Sequence, residues 1–563
     1  MKPSLPLVFC LLARSAASAS APPPVFFDSL DSDAWVAASF RVQGSYARLL
    51  LVDGSSHPPK SVLVSKLNLN ARTAAQPEET LAVAAVFANL QGAADAARGG
   101  DLIAVMPGTY AGFVLGPKED AGDGRYIRVK ALGRPGDVVI DRPGRDADWM
   151  VLFQAAHHAI LEGFNIAGHT GPGLPPEGPR AGIMIDGDFG HSGKQAHHIA
   201  IMGNFSHNHR KWGFHTTDTH TVLIQDNLFA LSAEEHSGYA SDGSDNYVIR
   251  RNVFFGSRAS GLQCNLDSLS SFHEVLKHQA LREHAPEQPS RAWALGLVGR
   301  ATELFGKDNF PDGRGVRFII EDNVINQNGK AGGGSLNLAG LQDSLIQNNL
   351  IYGNFNHGIA QWDDANPYDA AFVDPGPQSA AAVRGPEDLP LWGCHSNRIR
   401  NNTVLMANPE RAALQFRNGS WGGRARNNIL INDGGVSIQV FNTSVYGLDS
   451  GYNAAGRFDD TGMAADLKTL AKNLDASPRS TLDLTLDSLR HEFVRCGDEP
   501  WVLIEGSWWR LNPDRPDFRP RTDAARLAGR GDASDLPARD LAGQPRRSAD
   551  LGALAPATGG ATR

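Results

Sequence analysis

Through most of the chain, apolar and polar residues alternate in runs of only a few positions, separated by polar or glycine-containing turns. A period of two is the pattern of short strands whose side chains point alternately to either side. After such runs an asparagine recurs: Asn204 in Ile-Met-Gly-Asn, Asn227 in Ile-Gln-Asp-Asn, Asn252 in Ile-Arg-Arg-Asn, Asn323 in Ile-Glu-Asp-Asn and Asn349 in Ile-Gln-Asn-Asn, then Asn402 and Asn428. The intervals are 23, 25, 71, 26, 53 and 26 residues, so four define a period of about two dozen and the two long ones are a period plus an insertion. That unit is too short for strand-helix-strand and too regular for an immunoglobulin-like sandwich. It predicts a parallel β-solenoid in which the asparagines stack at equivalent turns and bond from coil to coil. Their role is structural, and none is taken as a site residue.

The rest of the pattern gives the ends and the interruptions. Leu81 to Arg98 reads as an amphipathic helix closed by Gly99-Gly100-Asp101, placed to cover the open edge of the first coil. Residues 20–80 form a strand-rich preface, the solenoid occupies 81–456, and 457–563 is a capping region whose Trp501 to Trp509 stretch is expected to close the far end. One insertion, 269–314, has helical runs at Phe272 to Lys277 and Trp293 to Val298; the other, 365–393, is rich in Pro and Ala and reads as a loop. Both interrupt the same side of the coil and are candidate walls of a cleft.

Composition narrows the function. With Lys+Arg 53 against Asp+Glu 61 the net charge is −8, which argues against nucleic-acid binding, where affinity comes from neutralising phosphates. Lys2, the apolar run Leu5 to Ala13 and Ala17-Ser18-Ala19 read as a signal peptide, residues 1–19, so the protein is expected to be secreted or periplasmic. No later run is long enough to span a bilayer. Cys264, Cys394 and Cys496 then remain, too few and too odd for a disulfide framework. The chain is expected to act as a monomer.

Two passages carry a resemblance to a known family: Leu90-Gln91-Gly92-Ala93-Ala94-Asp95-Ala96-Ala97-Arg98-Gly99-Gly100-Asp101 through Pro107-Gly108-Thr109-Tyr110, and the asparagine coils from about 155 to 445. They resemble the right-handed parallel β-helix proteins of the pectate-lyase-like superfamily, and Pro516-Asp517-Phe518-Arg519 and Ala549-Asp550-Leu551-Gly552-Ala553 are similar to the terminal phrases of such proteins. The resemblance implies an all-β right-handed parallel β-helix with an N-terminal capping helix, helical and loop insertions and a C-terminal cap. Members include polysaccharide lyases, glycoside hydrolases, uronate epimerases and proteins without known activity, so the fold does not choose the reaction.

Aligning the coils on a strand-opening Gly or Ala places Phe214, Tyr239, Leu262, Ile359 and Leu414 on the core face with Thr216, Ser241, Cys264, Leu336 and Phe416. Two outward columns follow, one of His215, Ala240, Gln263, Ser335, Ala360 and Gln415, the other of Thr217, Asp242, Asn265, Asn337, Trp362 and Arg417. Lys211, His236 and His357 stand in the turns before these strands, and Glu235-His236-Ser237-Gly238-Tyr239 resembles a His-Gly-aliphatic-Tyr phrase of one branch of the family. An imidazole, carboxylate, amides, indole and guanidinium on one face suit an acidic polysaccharide, with neighbouring coils about 4.8 Å apart. For β-elimination from a uronate polymer, Lys211, His215 or His236 would supply the base, with Asp242 and Asn265 completing the catalytic set. Gln263, Asn337, His357, Trp362 and Arg417 would bind substrate. Asp186, Asp242 and Asp267 are candidate Ca²⁺ ligands, since that ion takes oxygen donors. Zinc at His207, His209, His215 and His220 lacks a supporting Cys. A glycoside hydrolase pairing Asp242 with Asp363, Asp364, Glu234 or Glu235 is the alternative enzyme; a non-catalytic carbohydrate-binding or surface scaffold is the third reading.

Overall fold

The computed structural model describes residues 31–556, apart from 72–75, 170–177, 308, 364–365, 370–378, 383–387, 418, 462, 475–479 and 506–507. The expected signal peptide and much of the 365–393 insertion lie outside the described residues. The chain winds through three sheets, visited in the order I, II, III, of 13, 11 and 11 strands. Sheet I runs from Ala85–Phe87 and Leu49–Val52 to Asp449–Gly451, sheet II from Gly108–Ala111 to Ala454–Ala455, and sheet III from Phe113–Leu115 to Phe458–Asp459. Within each sheet successive coils pair in parallel. The alternation in sequence does this work: Ile199 and Ile201, Val222 and Ile224, Tyr247 and Ile249, Phe318 and Ile320 point inward from consecutive sheet I strands into one continuous core.

The asparagine ladder is present as expected. Seven successive Nδ2-to-Oδ1 bonds of 3.0–3.1 Å link Asn204, Asn227, Asn252, Asn323, Asn349, Asn402, Asn428 and Asn453. The residue before most rungs, from Asp226 to Asn427, is left-handed, with φ between +52° and +62°. That twist turns the asparagine inward, where its amide satisfies backbone groups that the turn would otherwise bury unpaired.

Four expectations about the periphery need correcting. The capping helix is Leu90–Ala96, not Leu81 to Arg98, because Asn89 accepts the Gly92 N–H at 2.8 Å and starts it there. The preceding Glu78–Ala82 is instead a strand paired antiparallel with Ser61–Ser65. The preface opens with a helix, Ser32–Ser39, whose Trp35 and Val36 pack with Phe40 on the outer face of sheet I against Ile160, Ala200 and Leu223. Finally, the Trp501 to Trp509 stretch does not close the far end. Residues beyond 484 run back along sheet II, where Phe493, Val502 and Phe518 cover Leu228, Leu350 and Leu405, and Trp508 reaches Phe205 with ring centroids 5.5 Å apart. The far end is closed by Val445, Met463 and Leu467, which join the central core.

Both insertions stand beside sheet III. The first forms helices Ser268–Lys277 and Arg291–Phe305. Phe272 on the first of them packs edge-on to Tyr368 and Trp392 of the second insertion, at 5.1 and 5.7 Å between centroids. One aromatic cluster therefore ties the two insertions into a single wall.

Candidate functional site

Sheet III carries the candidate face, and its register differs from the alignment on glycines. Gly238 opposes Phe214, so Tyr239 opposes His215 and Gln263 in turn, while Ala240 faces the core beside Thr216 and Cys264. Gly238 is glycine because Phe214 fills the space; an added Cβ would lie 2.3 Å from its ring. Asn337 opposes Gln263, and Ala339 opposes Asn265. The first outward column is thus Met184, His215, Tyr239, Gln263, Asn337, Ala360 and Gln415; the second is Asp186, Thr217, Ser241, Asn265, Ala339 and Trp362. Tyr239 and Ser241, expected in the core, belong to the outward columns. Ala240, Ser335 and Asp242 leave them, and Asn337 changes column. Glycine marks where a side chain does not fit, and that position drifts by one from coil to coil.

At the upper end of the face, His215 stacks on Tyr239 at 4.8 Å and lies 4.4 Å from Trp212. Its Nε2 is 3.0 Å from Ser241 Oγ, which also lies 3.0 Å from Asp242 Oδ2. Since the hydroxyl proton points to a carboxylate or to the Thr216 carbonyl, Ser241 accepts from His215 Nε2–H. His215 Nδ1 is then the bare nitrogen, buried without a hydrogen-bond partner. Burial first, then the Arg180, His236 and Lys211 charges, hold the imidazole down to about 3. It is neutral.

Cations ring this histidine. Arg180 lies 5.3 Å from the ring centroids of both Trp149 and Trp212. Lys211 pairs with Glu235 at 2.5 Å, and Glu235 also accepts from Trp212 Nε1 at 2.9 Å. His236 Nδ1 accepts the Ser260 backbone N–H at 3.1 Å, so its lone pair is engaged in holding the next coil. His357 does the same for Ala412 at 2.9 Å. Gln263, Asn337 and Trp362 bond to one another: Asn337 Nδ2 donates to Gln263 at 2.5 Å, and Trp362 Nε1 to Asn337 Oδ1 at 2.9 Å. Asn265 Nδ2 stands 3.5 Å from the Tyr239 hydroxyl. Arg417 follows Trp362 in the stack and is exposed, five coil steps or roughly 24 Å from His215.

Asp242 ends its strand in the left-handed region, φ +48°, directly beside Asp218, φ +51°, at the same corner of the preceding coil. The two open on a cleft of about 720 Å³ between this corner and helix Ser268–Lys277, lined also by Asp186, Asp188, Glu274 and Lys277. Burial first and then neighbouring carboxylates raise these groups: Asp242 to about 7, Asp218 well above the usual range, and Asp186 in the same direction. Asp218 is 2% exposed, and its Oδ1 is buried without a hydrogen-bond partner. Carboxylates around an orphaned oxygen suit a hard cation, although the oxygens of Asp186, Asp218 and Asp242 are not all within 4.8 Å of one another and would have to draw together around it. Asp267 does not complete that set as expected. Its carboxylate caps helix Ser268–Lys277, accepting from Leu269 N at 2.8 Å and Ser270 Oγ at 2.9 Å. The histidines of the zinc reading scatter: His209 bonds Ser206 in the interior, His215 faces out from sheet III, and His220 lies in sheet I.

A family profile described as "Right handed beta helix region" matches residues 312–449. The chain folds as a right-handed parallel β-helix. No curated protein sequence matches it. Among solved structures, this β-helix is similar to the pectate lyase Pel9A, with 14% identity and TM-score 0.45 over 91% of this chain and 97% of that one. It is also similar to an alginate lyase from Paenibacillus sp. str. FPU-7, with 15% identity and TM-score 0.36 over 62% and 96%. A third is PfbA, a surface adhesin of Streptococcus pneumoniae, with 10% identity and TM-score 0.39 over 65% and 80%.

Sequence reasoning missed Arg180, Trp149, Asp218 and Glu274. Arg180 and Trp149 lie outside the coils that were aligned. Asp218 had a signal in the sequence: it ends Thr216-Thr217-Asp218 as Asp242 ends Ala240-Ser241-Asp242, both at the strand-ending corner.

Proposed function

We propose that the protein is a polysaccharide lyase that cleaves a uronate-containing polymer by β-elimination, with sheet III and the adjoining insertions as its binding trough. The observation that carries this reading is neutral His215, its Nδ1 unpartnered, stacked on an outward tyrosine and flanked by Arg180 and Lys211. In the reaction His215 Nδ1 takes the proton beside the sugar carboxylate. The freed electron pair forms the C4–C5 double bond, the C4–O bond breaks, and the leaving oxygen takes a proton from the Tyr239 hydroxyl; solvent restores both groups. Nδ1 is buried, so neighbouring side chains would have to move aside for substrate to reach it. Lys211, held by Glu235, and Arg180 serve as fixed positive charge rather than as bases.

The acidic cleft adjoins this pair through Ser241. We assign Asp186, Asp218 and Asp242 as the residues that would hold Ca²⁺ there. Bound calcium would neutralise the sugar carboxylate and so acidify the neighbouring proton. Hydrolysis is the weaker reading: Glu235 is engaged by Lys211 and Trp212 and Asp242 by Thr217 and Ser241, while Asp364 lies outside the described residues.

The test is incubation of the full chain with pectin, alginate and glycosaminoglycans, with and without Ca²⁺. Absorbance from an unsaturated sugar end supports elimination. New reducing ends without that absorbance would establish hydrolysis, and binding with neither would establish a scaffold.

A further inference from the structure

Sheet I carries a second cluster, away from the trough, that the proposed chemistry does not use. His157, His197 and His220 oppose one another on three consecutive coils. Their rings stack at 5.2 Å and 11° between His157 and His197, and at 4.9 Å and 12° between His197 and His220. His158 and His198 follow the first two in sequence, and each has left-handed backbone, φ +52° and +55°. In a regular strand, consecutive side chains point to opposite faces. The left-handed residue breaks that alternation and brings both imidazoles of each pair to the same side. His158 therefore stacks on His198 at 4.6 Å and 5°, and each stands edge-on to its sequence neighbour, at 5.3 and 5.0 Å. Four rings form a two-by-two grid, with His220 at its edge.

The nitrogens of this grid face one another. His197 Nδ1 and His198 Nδ1 are 2.8 Å apart, and His157 Nδ1 and His158 Nδ1 are 3.1 Å apart. Among the described residues, His158, His197 and His198 are the one group of three ligating side chains whose ligand atoms all lie within 4.8 Å of one another. His158 is buried while His197 and His198 are half-buried, so the group is anchored at one side and open to solvent at the other. Asp123 lies 3.7 Å from His158 Nε2, in place to orient a ligating imidazole from behind. An aromatic stack needs only parallel rings; converging ring nitrogens are an additional feature that stacking does not require.

We propose that His158, His197 and His198 form a binding site for a borderline-soft divalent transition metal, Zn²⁺ or Cu²⁺, with water completing its coordination on the open side. Imidazole nitrogen suits these ions and not the Ca²⁺ assigned to the carboxylate cleft. The site is independent of the trough, so it stands or falls apart from the lyase reading.

The test uses tag-free full-length protein and the metal alone. Zn²⁺ titration followed by calorimetry is expected to show one tight equivalent. His197→Gln should weaken it by about 100-fold and Asp123→Asn by about 10-fold, with thermal unfolding showing that both variants remain folded. Should His197→Gln fail to fold, Cu²⁺ electron paramagnetic resonance on the unaltered chain decides, with splitting from at least three nitrogens expected. No zinc binding, equal binding by the folded variants, or an oxygen-only copper signal would overturn the proposal.

Discussion

A single rung shows how much one side chain does in this molecule. Asn323 Oδ1 accepts from Asn252 N and Nδ2 at 3.0 and 3.1 Å, and its Nδ2 donates to Ile249 O and Asn349 Oδ1 at 2.9 and 3.0 Å. Asn323→Ala leaves those buried partners unpaired, at about 1–3 kcal/mol for each group not re-satisfied. A loss of several kcal/mol in urea unfolding is expected, and a change under about 1 kcal/mol would show that the ladder is not a structural necessity. Asp242 makes the opposite case. Its folded-state value of about 7 exceeds that of the unfolded chain, near 4, so its stabilising contribution is whole below pH ~4 and is lost as pH rises through 7. In metal-free buffer Asp242→Asn should therefore match the parent at pH 4 and exceed it by roughly 1–3 kcal/mol at pH 8. Equal stability at both pH values would remove the charge crowding on which the calcium assignment rests. The ladder was legible in sequence because its chemistry repeats at a fixed place. The outward columns were legible only in part, because Gly213 and Gly238 stand one position apart in the coil.

Elements were legible where their signals were local. Helices Ser268–Lys277 and Arg291–Phe305 contain the helical runs seen in sequence, whereas Glu78–Ala82 became a strand because a distant partner, Ser61–Ser65, was there to pair with it. The course of the C-terminal region was not legible for a similar reason. Phe493, Val502 and Phe518 find an uncovered apolar face along sheet II that no pattern within 457–563 reveals. The wall beside the trough depends on Phe272, and Phe272→Ala should cost about 3–5 kcal/mol locally. Hydrogen exchange is expected to quicken over 268–305 and 388–393 while the ladder amides stay protected. Uniform quickening would mean that the wall and the coil unfold together.

At the scale of the whole molecule, burial keeps many imidazoles neutral. His198, His209 and His215 are held at about 3, and His158, His220, His236, His357 and His395 at about 4. Unfolded, these residues titrate near 6.5, so their contribution is whole above that pH and is lost as pH falls toward the folded values. Stability should drop steeply from pH 6.5 to 4, by up to about 1.4 kcal/mol per pH unit for each histidine that gains a proton on unfolding. A flat urea midpoint over that range would contradict the burial of this set. The same burial keeps His215 neutral among the fixed cations of the proposed substrate trough. The most direct measurement is a structure of the full chain with a uronate oligosaccharide bound. The sugar chain is expected to cross the coils of sheet III, with one carboxylate between Arg180 and the Asp242 corner and the adjacent ring carbon facing His215 Nδ1. A sugar chain seated along sheet I or sheet II, with His215 still sealed beneath Tyr239, would contradict it.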